Sequence, residues 1–86
     1  MWHVYIVKCK DGTFYSGITT DIERRVWEHN NSPLGAKYTR GRRPVRLVYS
    51  CCLKNKSLAA KEEFRIKGLE RSVKKRLIEG FLKKDK

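Results

Sequence analysis

Val4-Tyr5-Ile6-Val7-Lys8-Cys9-Lys10-Asp11-Gly12-Thr13-Phe14-Tyr15-Ser16-Gly17 decides the fold, because it holds two apolar runs around one turn. The runs, Trp2 to Cys9 and Thr13 to Ile18, are short and rich in β-branched and aromatic residues, the composition of strands. With Asp11-Gly12 as a two-residue turn, Lys10 would pair with Thr13, and the rings of Tyr5 and Tyr15 would face opposite sides. With Lys10-Asp11-Gly12 as a three-residue loop, Gly12 takes the left-handed position of a bulged turn. Cys9 then pairs with Thr13, Val7 with Tyr15, and Tyr5 with Gly17. Both phenols share a face as diagonal neighbours, and Gly17 leaves space beside Tyr5. The three-residue loop is the expected one.

Downstream, Thr20-Asp21-Ile22-Glu23 has the form of a capping box and predicts a helix to about Asn30. Ile22 and Val26 supply its buried stripe, and Arg25 and His29, four apart, line its margin. Asn31 to Pro44 reads as an irregular basic connection. Val45 to Cys51 alternates as a third strand, with Val45, Leu47, Tyr49 and Cys51 on one face. Ser57 caps a second long helix to about Leu69, and Ser72 a third carrying Val73, Leu77 and Phe81. The order β-β-α-β-α-α gives an α+β fold, a small, largely antiparallel three-stranded sheet flanked by helices.

The length of 86 residues makes one domain, spanning 1–86, with a modest core. Lysine and arginine number 21 against 9 acidic residues, a formal net charge of +12. Such a field concentrates polyanions, so nucleic acid is the leading partner and an anionic membrane the second. No apolar run approaches membrane-spanning length, and Met1-Trp2-His3-Val4-Tyr5-Ile6 lacks the charged start of a signal peptide, which points to the cytoplasm. Cys9, Cys51 and Cys52 are odd in number and suit neither a disulfide framework nor zinc spacing; all three read as buried thiols.

The ordered set of short motifs resembles the GIY-YIG nuclease superfamily, in particular its small stand-alone bacterial branch. Val4-Tyr5-Ile6 stands at the GIY position and Tyr15-Ser16-Gly17 at the YIG position. After them come Ile18 to Arg25 with His29, then Gly35 to Pro44, then Ala59 to Lys67. The resemblance runs from Trp2 to about Ile78. It implies metal-assisted cleavage of nucleic-acid backbone, usually DNA, with one Mg²⁺ or Mn²⁺ ion at a single site, structure-selective and serving repair or recombination. Carried over by position, Tyr5 and Tyr15 line the site, Arg25 binds the scissile phosphate, His29 supports it, and Glu63 ligates the metal. The chain departs from the pattern at Val4, where the motif has glycine, and at Leu69-Glu70-Arg71-Ser72, which lacks the asparagine of many larger members.

These residue types suit the chemistry in their own right. In-line attack on a phosphodiester builds charge on the phosphoryl oxygens, which a guanidinium meets, and on the leaving oxygen, which a hard cation meets. A phenol serves as a base near neutrality only if its pKa of about 10 falls by roughly 3, about 4 kcal/mol; otherwise it orients the water. Periodicity leaves two glutamates open. Glu62 falls nearer the middle of the apolar side of its helix, while the resemblance selects Glu63. Lys37-Tyr38-Thr39-Arg40-Gly41-Arg42-Arg43 reads as a phosphate-tracking loop, with Lys37, Arg40, Arg42 and Arg43 on the backbone and Tyr38 stacked on a base. Lys74-Lys75-Arg76 and a frayed Lys83-Lys84-Asp85-Lys86 add nonspecific attraction. DNA is favoured over RNA. The competing reading is a catalytically idle nucleic-acid-binding module acting with an unidentified protein partner.

Overall fold

The turn at Lys10-Asp11-Gly12 closes as a three-residue loop. A computed structural model describes residues 1–84; Asp85 and Lys86, the end of the expected frayed tail, lie outside the described residues. Gly12 sits at φ 87°, where a side chain would be strained, and its N–H donates to the Cys9 carbonyl at 2.9 Å. Cys9 N–H donates to the Thr13 carbonyl at 2.8 Å. Strands β1 (Trp2–Lys8) and β2 (Phe14–Thr19) are therefore antiparallel, with Val7 opposite Tyr15 and Tyr5 opposite Gly17, the register read from the turn.

The third strand, β3 (Arg46–Leu53), pairs antiparallel with the other side of β1, giving the order β2-β1-β3. Its alternation does not hold. Ile6 faces Tyr49 and Val7 faces Leu47, so Val48 is the extra residue of a bulge. Val45 and Leu47 consequently pack with Tyr5 and Val7, whereas Val48, Tyr49 and Cys51 pack with Val4 and Ile6 on the opposite face. The expectation of one face for Val45, Leu47, Tyr49 and Cys51 is corrected by that one residue.

Helices cover the sheet. Helix α1 (Ile22–Asn31) starts one residue later than the capping box implies: Asp21, not Thr20, is the cap, its carboxylate accepting from Arg24 N–H at 3.0 Å. The connection after it is not wholly irregular, since Lys37–Arg40 forms the short helix α2. Helix α3 (Lys56–Lys67) is capped by Asn55, whose side chain accepts from Leu58 N–H at 2.9 Å, and not by Ser57. Helix α4 (Arg71–Lys84) begins just before Ser72.

One core lies where α3 and α4 meet the sheet, with Val4, Ile6, Val48, Ile66 and Ile78 buried together. Each such aliphatic side chain is worth about 1.5–3 kcal/mol when fully buried. On the other face Tyr5, Val7, Cys9 and Val45 form a second cluster with Tyr15, Val26 and Leu47 at its margin. The buried stripe of α1 is centred on His29 and not on Ile22 and Val26, which are half-buried. Of the cysteines only Cys9 is buried; Cys51 is half-buried and Cys52 exposed, so the expectation of three buried thiols holds for one.

Candidate active site

The site is built on the Tyr5 face of the hairpin, and Gly17 is what admits it. A Cβ on Gly17 would stand 2.5 Å from the Tyr5 hydroxyl and 2.8 Å from Cζ, so only glycine lets the ring lie across β2. The ring is covered from above by His29 of α1, with centroids 5.8 Å apart, and Tyr15 meets the same imidazole edge-on at 5.3 Å.

Hydrogen bonding settles which atoms carry protons. The Thr39 hydroxyl has one proton, and it goes to the Ala36 carbonyl at 2.9 Å. Toward His29 Nδ1, 3.0 Å away, Thr39 Oγ1 therefore accepts, which places the ring proton on Nδ1. His29 Nε2 is left bare, and the Tyr5 hydroxyl donates to it at 2.8 Å. Tyr5, His29 and Thr39 thus form one buried relay, none more than 1 % exposed. Thr39 went unrecognised because a threonine in a basic loop carries no signal of its own.

The environment pushes the two titratable members apart. Burial, helped by the Arg25 charge, lowers the His29 pKa to about 4. Burial pushes the Tyr5 phenol up to about 12, although Arg25 pulls the other way. Moving the proton from Tyr5 to His29 would then cost on the order of 10 kcal/mol before ion-pair attraction. Of the two roles open to a phenol, Tyr5 therefore keeps that of a neutral donor. Its hydroxyl, which a groove shared with Tyr15 would leave reachable from solvent, is buried. Tyr15, half-buried, is the phenol nearer the surface.

Arg25 lies beside this relay. Its Nη1 donates to Glu28 Oε1 at 2.9 Å and to the Leu34 carbonyl at 2.9 Å, and the guanidinium also reaches the Tyr5 hydroxyl. The two glutamates of α3 separate cleanly. Glu62 accepts both prongs of Arg65 at 2.8 and 2.7 Å, which holds its carboxyl low, and its charge is felt at Tyr49 on the opposite face. The Glu63 charge is felt at Tyr5, and among the described residues its carboxylate is paired with Lys67 alone, at 3.4 Å. Among the described residues no three His, Cys, Asp or Glu side chains cluster as a metal cage. A single carboxylate, paired only with an exposed lysine among the described residues, nevertheless fits Mg²⁺ or Mn²⁺, since such an ion keeps several waters and takes oxygen from substrate phosphate.

The basic connection is arranged differently from its sequence reading. Tyr38 stacks on Tyr15, centroids 5.8 Å apart and planes 25° from parallel, while the Arg42 guanidinium covers it at 4.1 Å. Tyr38 nevertheless keeps exposed surface, being 39% exposed. Arg42 also bonds Asp11 at 3.0 Å and the Tyr38 carbonyl at 2.8 Å. Arg43 donates to the carbonyls of His29, Ser32 and Glu28 at the end of α1, and Arg40 to that of Pro33. Lys37 is exposed.

A family model described as the GIY-YIG catalytic domain matches residues 1–77. The chain is 54% identical over 77 residues to UPF0213 protein DP2720 of Desulfotalea psychrophila, covering 90% of this chain and 70% of that one. It is 53% identical over 77 residues to UPF0213 protein VNG_2274C of Halobacterium salinarum, covering 90% and 99%. The solution NMR structure of UPF0213 protein BH0048 from Bacillus halodurans superposes with a TM-score of 0.58 at 46% identity, covering 92% of this chain and 84% of that one.

Proposed function

We propose that this chain, which belongs to the GIY-YIG catalytic-domain family, is a single-domain, divalent-metal-dependent endonuclease acting on nucleic acid, DNA in preference to RNA. The observation that carries the reading is the placing of Tyr15, Arg25 and Glu63 around the buried Tyr5–His29–Thr39 relay in a strongly basic chain. Among the described residues no helix is long and apolar enough to cross a membrane, which fits a cytoplasmic enzyme.

Each residue then has a defined task. Glu63 would hold the ion, which when bound would supply positive charge for the leaving oxygen. Arg25, kept charged by Glu28, meets the phosphoryl oxygens as their negative charge grows. The Tyr5 hydroxyl, donating its proton in a hydrogen bond to His29 Nε2, turns its lone pairs toward Arg25 and orients it. Tyr15 is the phenol that holds the attacking water by hydrogen bonding, without having to ionise. His29 acts through Tyr5, so it is a positioning residue.

The test is a cleavage assay on branched, nicked, single-stranded and duplex DNA and matched RNA, with Mg²⁺, Mn²⁺ or EDTA. Metal-dependent cutting that Glu63→Ala abolishes and Glu62→Ala spares is expected. Tight binding of every substrate with no cutting under any metal would replace this reading with that of an idle binding module.

A further inference from the structure

Phe64 is 82% exposed, the most exposed aromatic side chain among the described residues, and it follows Glu63 directly in α3. The buried Ala59 and Ile66 mark the side of α3 that faces the sheet. At about 100° per residue, Glu63 lies about 40° round from Ala59, Lys67 about 80°, and Phe64 about 140°, all in one direction. Glu62 lies on the other flank, toward Tyr49. Phe64 therefore stands on the solvent side of α3, turned toward the Glu63 flank and away from the Glu62 flank.

The charge of +12 draws a polyanion to the molecule, and on the proposed function its scissile phosphate goes to Arg25. Its bases need π-faces to stack on, and the other exposed aromatics offer less of one at the site. Tyr38 is already stacked on Tyr15 and contacted by the Arg42 guanidinium, and is less than half as exposed as Phe64. Trp27, two residues from His29, is on the far side of α1, lining a groove with Ile22, Val26 and Leu47. Phe64 makes no aromatic contact and belongs to neither core cluster among the described residues.

We infer that Phe64 is the base-stacking residue of the substrate groove, its exposed ring taking an unpaired nucleobase near the phosphate held by Arg25. The inference rests on the nuclease reading and adds what it lacks, a source of preference for substrate structure. In a duplex each base is already stacked between its neighbours. At a single strand, a flap or a junction a base is free to stack on a ring, so this contact favours unpaired substrate whatever the sequence.

Binding in EDTA tests it without cleavage. Phe64→Ala should weaken affinity for a single-stranded oligonucleotide about tenfold, as loss of one base stack does, and leave duplex affinity unchanged. The slope of log affinity against log salt should not move, since no phosphate contact is lost. Phe64→Trp should retain affinity, with its fluorescence quenched by oligothymidylate, whereas Phe64→Leu, apolar but without a π-face, should behave like Phe64→Ala. Thermal melting of all three should match the parent, because the side chain is outside the core. Single-strand affinity unchanged by Phe64→Ala, or an equal loss on single strand and duplex, would overturn the stacking role and leave the nuclease reading standing. Failure of the parent protein to bind any oligonucleotide would overturn both.

Discussion

A histidine with no exposed surface, hydrogen-bonded at both ring nitrogens and held at a pKa of about 4, ties stability to pH through one residue. In the unfolded chain His29 titrates at its ordinary value of 6.5, so between 6.5 and 4 the unfolded state binds the proton first. The contribution of neutral His29 is fully present above pH 6.5 and is lost as pH falls toward 4, about 3 kcal/mol in all. Asp11 and Glu62 are held low by Thr13 and by Arg65 respectively, so their losses fall at lower pH. Urea unfolding at intervals from pH 7.5 to 4 should show the His29 slope, and His29→Gln should flatten it. Parallel curves for parent and variant across that window would contradict the buried neutral imidazole. The pairing of the two phenols on one face was legible in the sequence, since strand side chains alternate and the turn sets the register. Their depth was not, because it depends on His29 and Thr39 arriving from elements 24 and 34 residues away from Tyr5.

At the scale of elements the sequence placed every long helix and strand but missed their ends. Asp21 beside Thr20, and Asn55 near Ser57, are equally good caps, and local chemistry does not choose between such neighbours. The bulge at Val48 was hidden because an apolar residue sits there among apolar residues, so the alternation read straight through it. A helix as short as α2 has no room for an apolar period. The same connection gives Arg43 a structural task that composition does not reveal. Its guanidinium forks over the last carbonyls of α1, at 2.6 Å from that of Ser32, where a cation also meets the negative end of the helix. Arg43→Ala should cost roughly 2 kcal/mol in denaturant unfolding, the range for hydrogen bonds to a charged group. Arg43→Lys should recover only part, since one ammonium cannot span the fork. Little change in stability, with a shallower salt dependence of DNA binding, would instead make Arg43 a phosphate contact.

Across the whole molecule the charge of +12 was plain from composition, but not which cations are free to meet a polyanion. Arg25, Arg42, Arg65 and Lys67 are ion-paired within the described residues, and Arg40 and Arg43 serve backbone carbonyls. Lys8, Lys10 and Arg46 are in none of those pairs. They line a concavity of about 360 Å³ with Cys9, Pro44 and Val45. Its wall is tied to the basic connection, since Lys10 N–H donates to the Arg42 carbonyl at 3.0 Å. Long-range attraction should reside there and chemistry at Glu63. Neutralising Lys8, Lys10 and Arg46 together should weaken binding to all sequences alike, and the slope of log affinity against log salt should become shallower by about 0.7 per lost contact on single strands, or about 0.9 on duplex. Glu63→Ala should leave that slope in place, since it removes a group acting on the transition state and not a phosphate contact. Its affinity should hold or rise, because a carboxylate near phosphate repels it. A slope unchanged by the triple substitution would move the polyanion track away from this end of the sheet, and cleavage surviving Glu63→Ala would move the metal away from α3.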